Sequence, residues 1–279
     1  MKTYLTLSAI ALAAAATLSS GTVLAQASAP AEKPDFVVTG NFGITSDYRF
    51  RGISQNNFDP AAQGGFDIAH SSGLYVGTWG SNVSQWAAGY SGNLELDLYG
   101  GYKTEVSGVG VDVGAIAYTY PGSASGYKAN TEEAYVALTY GPIVLKTSYV
   151  LSKNYFASTA GNTATGNAGY GTSAKGTMYY DLTVSQEIAP KLVASAHAGY
   201  TDYKNDAQYS SNAGGKFSYA DYNVGLAYDL GNGFNLSGKY FWNDLSKGTK
   251  SWADASGLQG GGPKNLGKDG FAVSLTKAF

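Results

Sequence analysis

The 279-residue chain has two arginines, Arg49 and Arg51, separated by one residue. On an extended strand this spacing puts both guanidinium groups on one face, where their planar forks can hold a carboxylate or a phosphate. The same spacing also fits a structural pair bridging to acids on that surface, such as Asp47 or Asp67. A second constellation joins Asp181, Ser195 and His197. If the turn between their strands centres on Ala189, Asp181 falls opposite His197 and Thr183 opposite Ser195, which gathers the hydroxyl, imidazole and carboxylate of a hydrolytic site. Ser195 and His197 are two apart on one strand, however, at about 6 to 7 Å, which is long for a nucleophile and its base. Hydrogen-bonded wall residues are the plainer reading. The acidic pairs Asp202/Asp206 and Asp244/Asp254 have the chemistry for Ca²⁺, but solvated loop charge is the plainer reading. The run Gly260-Gly261-Gly262-Pro263 lacks the strand-to-helix setting of a phosphate cradle.

Composition removes other chemistries. Without Cys there are no thiol nucleophiles, disulfides or thiolate metal sites, and two His exclude most His-based metal centres. A formal net charge of −2 gives no electrostatic case for nucleic acid. We therefore expect no cofactor and no enzymatic activity. Charged residues make up 14% of the chain, against roughly 25% in a soluble domain. Glycine is abundant, at 38 residues, and so is tyrosine, at 23.

The elements that must position the charged residues are strands. From Phe36 to Arg51 one face reads Phe36, Val38, Gly40, Phe42, Ile44, Ser46, Tyr48, Phe50, and the other carries Thr39, Asn41, Thr45, Asp47, Arg49 and Arg51. This period-two pattern recurs along the chain. Leu94, Leu96 and Leu98 oppose Glu95 and Asp97; Val111 and Val113 flank Asp112; Ala134, Val136 and Leu138 oppose Glu133; Tyr180 and Leu182 flank Asp181. With weaker candidates at 61–71 and 74–84, twelve strands are expected. Short links near 71–73, 104–108, 141–142, 187–191 and 231–233 alternate without exception with long ones near 52–60, 85–92, 121–130, 153–176, 204–218 and 244–267. That alternation predicts a transmembrane antiparallel β-barrel, with short periplasmic turns and long extracellular loops. A turn at Gly141-Pro142 would pair Tyr140 with Ile143 and Ala137 with Lys146, and one at Asn232 would pair Asp229 with Asn235, so the face assignments agree across both hairpins.

The chain ends support export to an outer membrane. Residues 1–25 read as a signal peptide, with Lys2, an apolar stretch from Leu5 to Leu18, and Val23-Leu24-Ala25 before the cut. Residues 26–35 read as a short leader and 36–279 as one barrel. Alternate apolar residues ending in Phe279 resemble the C-terminal signature bound by the barrel assembly machinery, although Lys277 departs from the usual aromatic.

Asp47-Tyr48-Arg49-Phe50-Arg51-Gly52-Ile53-Ser54-Gln55, Gly64-Gly65-Phe66-Asp67, Tyr75-Val76-Gly77-Thr78-Trp79-Gly80-Ser81-Asn82 and Leu94 to Tyr102 resemble the TorF-type porin family, small proteobacterial outer-membrane barrels. The likeness is dense over 36–142 and thinner beyond. It implies a porin-like channel for passive diffusion of small hydrophilic solutes, with outer-membrane lipid and lipopolysaccharide around it. On this reading the expected pore lining is Asp47, Arg49, Arg51, Asp67, Glu95, Asp97, Lys103, Asp112, Glu133, Lys146, Tyr179, Asp181, His197, Asp221 and Lys239. A non-conducting structural or adhesive barrel and a barrel-embedded lipid hydrolase are the alternatives.

Overall fold

The alternation closes on itself. The computed structural model describes residues 34–84, 92–123, 129–156, 173–204, 206, 217–245 and 265–279. Twelve antiparallel strands form the barrel: β1 (Phe36–Thr45), β4 (Ala61–His70), β5 (Leu74–Asn82), β6 (Leu94–Val106), β7 (Val109–Thr119), β8 (Thr131–Tyr140), β9 (Ile143–Val150), β10 (Met178–Ala189), β11 (Leu192–Asp202), β12 (Tyr219–Gly231), β13 (Phe234–Asn243) and β14 (Gly270–Ala278). β2 (Arg49–Phe50) and β3 (Ile53–Ser54) form a separate small hairpin. Each barrel strand pairs with its neighbour in the chain, and β1 joins β14 from Asn41 opposite Ala278 to Thr45 opposite Ser274. Beyond that register, Gly40 and Phe279 exchange backbone hydrogen bonds of 2.8 and 3.0 Å. The barrel thus leaves no free strand edge.

The faces separate by polarity in the opposite sense to a soluble protein. Val38, Leu98, Leu138, Leu182, Leu226 and Val273 point outward and are exposed, while Glu95, Asp97, Glu133 and Asp221 point inward and are buried. In water, an outer surface of this kind would forgo about 25 cal/mol for each Å² of apolar area. In a bilayer it is solvated, and every strand finds its hydrogen bonds within the ring. Outside, the rings of Tyr222 and Trp242 stack with centroids 5.5 Å apart, as in an interfacial aromatic girdle.

Connections of two or three residues gather at one end of the barrel, here the turn end, and longer ones at the other, the loop end. Tyr140 pairs with Ile143, Ala137 with Lys146 and Asp229 with Asn235, as the face assignments require. The signal peptide, most of the leader, Asp254, the Gly260-to-Pro263 run and much of the 153–176 loop lie outside the described residues.

Two expectations need correction. The first strand ends at Thr45, not near Arg51: residues 46–58 leave the wall and fold into the barrel. Arg51 and Gly52 both have positive φ, 47° and 78°, forming the two-residue turn of β2 and β3. Tyr48 and Phe50, expected on the outer face, therefore lie inside. The turn after β10 is also displaced. A bulge between Glu187 and Ala189 puts the turn at Pro190-Lys191, so Thr183 rather than Asp181 stands opposite His197, and Ser195 stands opposite Ser185.

Tyrosines and small side chains share the inner wall. Pairing runs from Tyr75 to Gly101, Gly114, Tyr135, Ser148, Tyr179, Thr201 and Tyr219 on successive strands β5 to β12. A Cβ on Gly101 would lie 2.6 Å from the Tyr75 hydroxyl, and one on Gly114 2.6 Å from that of Tyr135. The two phenols reach over the paired glycines and hydrogen-bond to each other. In the same way Tyr99 crosses Gly77 and donates to Asp67 at 2.7 Å.

Candidate functional site in the barrel interior

The inward-folded segment fills the loop end. Its backbone is tied to the wall and the loops: Ser54 N–H donates to the Leu266 carbonyl at 2.9 Å and Ser84 N–H to the Gln55 carbonyl at 2.8 Å. Asp47 accepts from Arg49 and from the Ser54 hydroxyl, and Arg49 also donates to the Lys268 carbonyl at 2.8 Å. Arg51 makes a fork-to-fork pair with Glu133, with N···O distances of 2.9 and 2.8 Å. Its guanidinium lies 4.1 Å from the Tyr179 ring centroid, and Tyr155 also accepts from it. Both arginines are thus engaged by acids and carbonyls of this chain, the bridging arrangement of the two readings. The acid that meets Arg51 is Glu133, not Asp47 or Asp67.

Around this hairpin the interior is aromatic and tightly packed, with Tyr48, Trp79, Tyr118, Tyr155 and Tyr219 all buried. Glu95 lies among them and accepts from Tyr48 at 2.7 Å and Tyr120 at 2.6 Å. Burial, with Glu95 beside them, pushes both phenols well above their usual range. Both therefore remain donors at any physiological pH.

A hydrogen-bonded network crosses β10, β11 and β12. His197 Nδ1 lies 3.1 Å from the Thr183 hydroxyl and 3.4 Å from Asp181, and its Nε2 lies 3.2 Å from Asp221. Tyr179 donates to Asp221 at 3.1 Å. Asp181 still reaches His197 diagonally, but the Ser195 pairing expected from a turn at Ala189 does not form, because the bulge displaces the register by two. The network ties side chains of three adjacent wall strands to one another.

Beyond the hairpin the inner wall is more open. Asp67, Lys103, Asp112, Lys146, Asp181 and Lys239 are half-buried along it. Lys103 lies 3.7 Å from Asp112 and 4.4 Å from the Tyr75 ring centroid, and Lys146 lies 4.3 Å from that of Tyr135. The expected lining residues consequently fall into two groups. Asp47, Arg49, Arg51, Glu95, Asp97, Glu133, Tyr179, His197 and Asp221 sit in the closed half or its floor, and the six half-buried residues face the wider part. Sequence reasoning missed Tyr48 and Phe50 as interior residues. The available signals were the turn-forming Ser46-Asp47 after Thr45 and the Arg51-Gly52 dipeptide.

A closed antiparallel barrel with an apolar exterior and a charged interior is a membrane-spanning β-barrel protein. Over residues 28–279 the chain belongs to the Gcw_chp family, described as a bacterial protein of unknown function. Among solved structures it is similar to the KdgM porin in complex with disordered oligogalacturonate, at TM-score 0.48 and 7% identity over 87% of this chain and 99% of that one. It is also similar to the COG4313 outer membrane channel from Pseudomonas putida F1, at TM-score 0.47 and 10% identity over 91% and 100% of the two chains. No curated protein matches.

Proposed function

We propose that the chain is a narrow outer-membrane channel for small hydrophilic solutes, a porin of the TorF type, closed at its loop end in the conformation described. The observation that carries this reading is the inner wall beyond the hairpin, where Asp67, Lys103, Asp112, Lys146, Asp181 and Lys239 keep half-buried charged groups of both signs inside a closed apolar-coated barrel. Such a surface is costly to maintain unless water occupies it. In this reading residues 1–25 direct export, the C-terminal strand engages the barrel assembly machinery, and the loop end faces lipopolysaccharide outside the cell. The hairpin at residues 46–58 sets the constriction, and small solutes pass when it yields.

The packed loop end favours a second reading, a barrel that conducts nothing and serves as a structural or adhesive surface. Planar-bilayer recording of folded protein separates the two. Discrete current steps, with swelling of liposomes in small sugars or amino acids, are expected for the channel. Folded barrels that give neither in any voltage range would establish the second reading.

A further inference from the structure

Acids and bases are held differently on the half-buried wall beyond the hairpin. Asp67 accepts from Tyr99 at 2.7 Å, and Asp112 accepts from Tyr75 at 2.6 Å and lies 3.7 Å from Lys103. Asp181 accepts from Thr183 at 2.9 Å and lies 3.4 Å from His197. Each carboxylate is thus engaged by donors of the wall itself. Lys146 is held otherwise. In the register of β9 and β10 it stands directly opposite Asp181, the placement in which a cross-strand ion pair forms. That pair is not made, because the Asp181 carboxylate turns to Thr183 on its own strand and to His197 on β11. On the other side, the inward acid of β8 is Glu133, and the fork of Arg51 takes it. Among the described residues no carboxylate reaches Lys146 at salt-bridge distance, and its ammonium instead lies over the Tyr135 ring, 4.3 Å from the centroid. A ring face attracts the charge but leaves the three N–H donors to whatever occupies the lumen.

There is room at this point. Accessible side-chain surface on the inner face of a closed barrel borders the lumen, and Asp112, Asp181 and Lys103 keep 16%, 24% and 34% of theirs. Lys146 is half-buried among them. Two residues nearer the turn, Val144 faces inward between its register partners Thr139 and Thr183. All three are half-buried, uncharged and β-branched, so they line the lumen beside the ammonium with methyl groups. A positive charge with free donors next to a short methyl-lined strip matches an anion that carries a hydrocarbon tail. We propose that Lys146, with Thr139, Val144 and Thr183, binds small organic acids in their carboxylate form. The carboxylate would accept from the Lys146 ammonium and the chain would lie along the three methyl-bearing side chains. The proposal deepens the channel reading and takes from it only that solutes reach this wall.

The test uses full-length barrel folded in micelles of deuterated detergent and probed with butyrate. Saturation transferred from the protein to the ligand protons is read by NMR. Protein-free micelles serve as the blank, and n-butylammonium offers the same tail with the opposite charge. A saturable signal is expected for butyrate, with n-butylammonium near the blank. In Lys146→Met, which keeps the length of the side chain, butyrate should bind at least about fivefold more weakly. Lys146→Arg, which keeps the charge, should retain binding and so separates a lost site from a misfolded barrel. Lys204→Met, at the exposed loop end after β11, should also retain it. Butyrate that binds Lys146→Met as well as wild type, or no better than n-butylammonium, would overturn the proposal. Displacement of butyrate by chloride or phosphate as readily as by propionate would make this an inorganic anion site and would overturn it too. Binding is read in micelles and current in planar bilayers, so the two readings fail separately. A barrel that binds butyrate but passes no current refutes the channel alone, and one that conducts without binding butyrate refutes this site alone.

Discussion

Replacing Arg51 with alanine should be the most damaging single change inside the barrel that leaves the wall strands intact. The side chains of Arg51 and Glu133 are 6% and 1% exposed, so solvent screening gives no discount. Removing one member of a buried pair leaves the other charged and unpaired, at a cost of about 3 to 5 kcal/mol. Losing the guanidinium above Tyr179 adds about 1 kcal/mol. For a chain of this size the sum corresponds to a melting shift of roughly 10 °C. Glu133→Gln should lose a similar amount, because it leaves the arginine without its counter-charge. The double change Arg51→Ala with Glu133→Gln should cost less than the two single losses added together, giving a coupling of at least about 2 kcal/mol. Urea unfolding of barrels refolded in vesicles, followed by tryptophan fluorescence, measures all four proteins. Single variants within about 1 kcal/mol of wild type, the range of exposed ion pairs, would refute the bridge as a desolvated clamp. The same variants recorded in planar bilayers should conduct more than wild type, because the clamp holds the hairpin in the lumen.

Two further outcomes follow from the inner wall. Gly114→Val should destabilise the barrel by about 1 to 3 kcal/mol, since even a Cβ there would lie 2.6 Å from the Tyr135 hydroxyl and from the Gly100 carbonyl; the melting midpoint of refolded protein measures it. Lys146→Glu, at the half-open wall, should lower the anion-to-cation permeability ratio by a factor of about two or more, read from reversal potentials across a salt gradient, with little change in melting.

The strands, their faces and the order of short and long connections were legible because each depends on local pattern. A leucine at every second position from Leu94 to Leu98 can face only one medium, whichever residues stand across from it. Position within the interior was less legible. Tyr48 and Phe50 continue the outward series of Phe42 and Ile44 in perfect parity, and nothing in polarity separates an aromatic that meets lipid from one packed on Tyr118 or Trp79. The break was written in backbone terms, as positive φ at Arg51 and Gly52, and of the two only the glycine signals it in the sequence. Contacts between strands depend on register. One bulged residue at the Pro190 turn was enough to exchange Asp181 for Thr183 opposite His197.

The tyrosines laid over Gly77, Gly101 and Gly114 have a consequence for the size of the passage. A phenol standing off the wall would project across the lumen by its full length. Lying along the wall, over a residue without a side chain, it takes up little more than the thickness of a ring. Each glycine therefore acts as a recess into which an obstruction is folded away. The free cross-section at the half-open end is governed as much by these three residues as by the charged groups that line it. Filling a recess would narrow the passage at a point the new side chain does not itself reach, by lifting a tyrosine from the neighbouring strand into the stream.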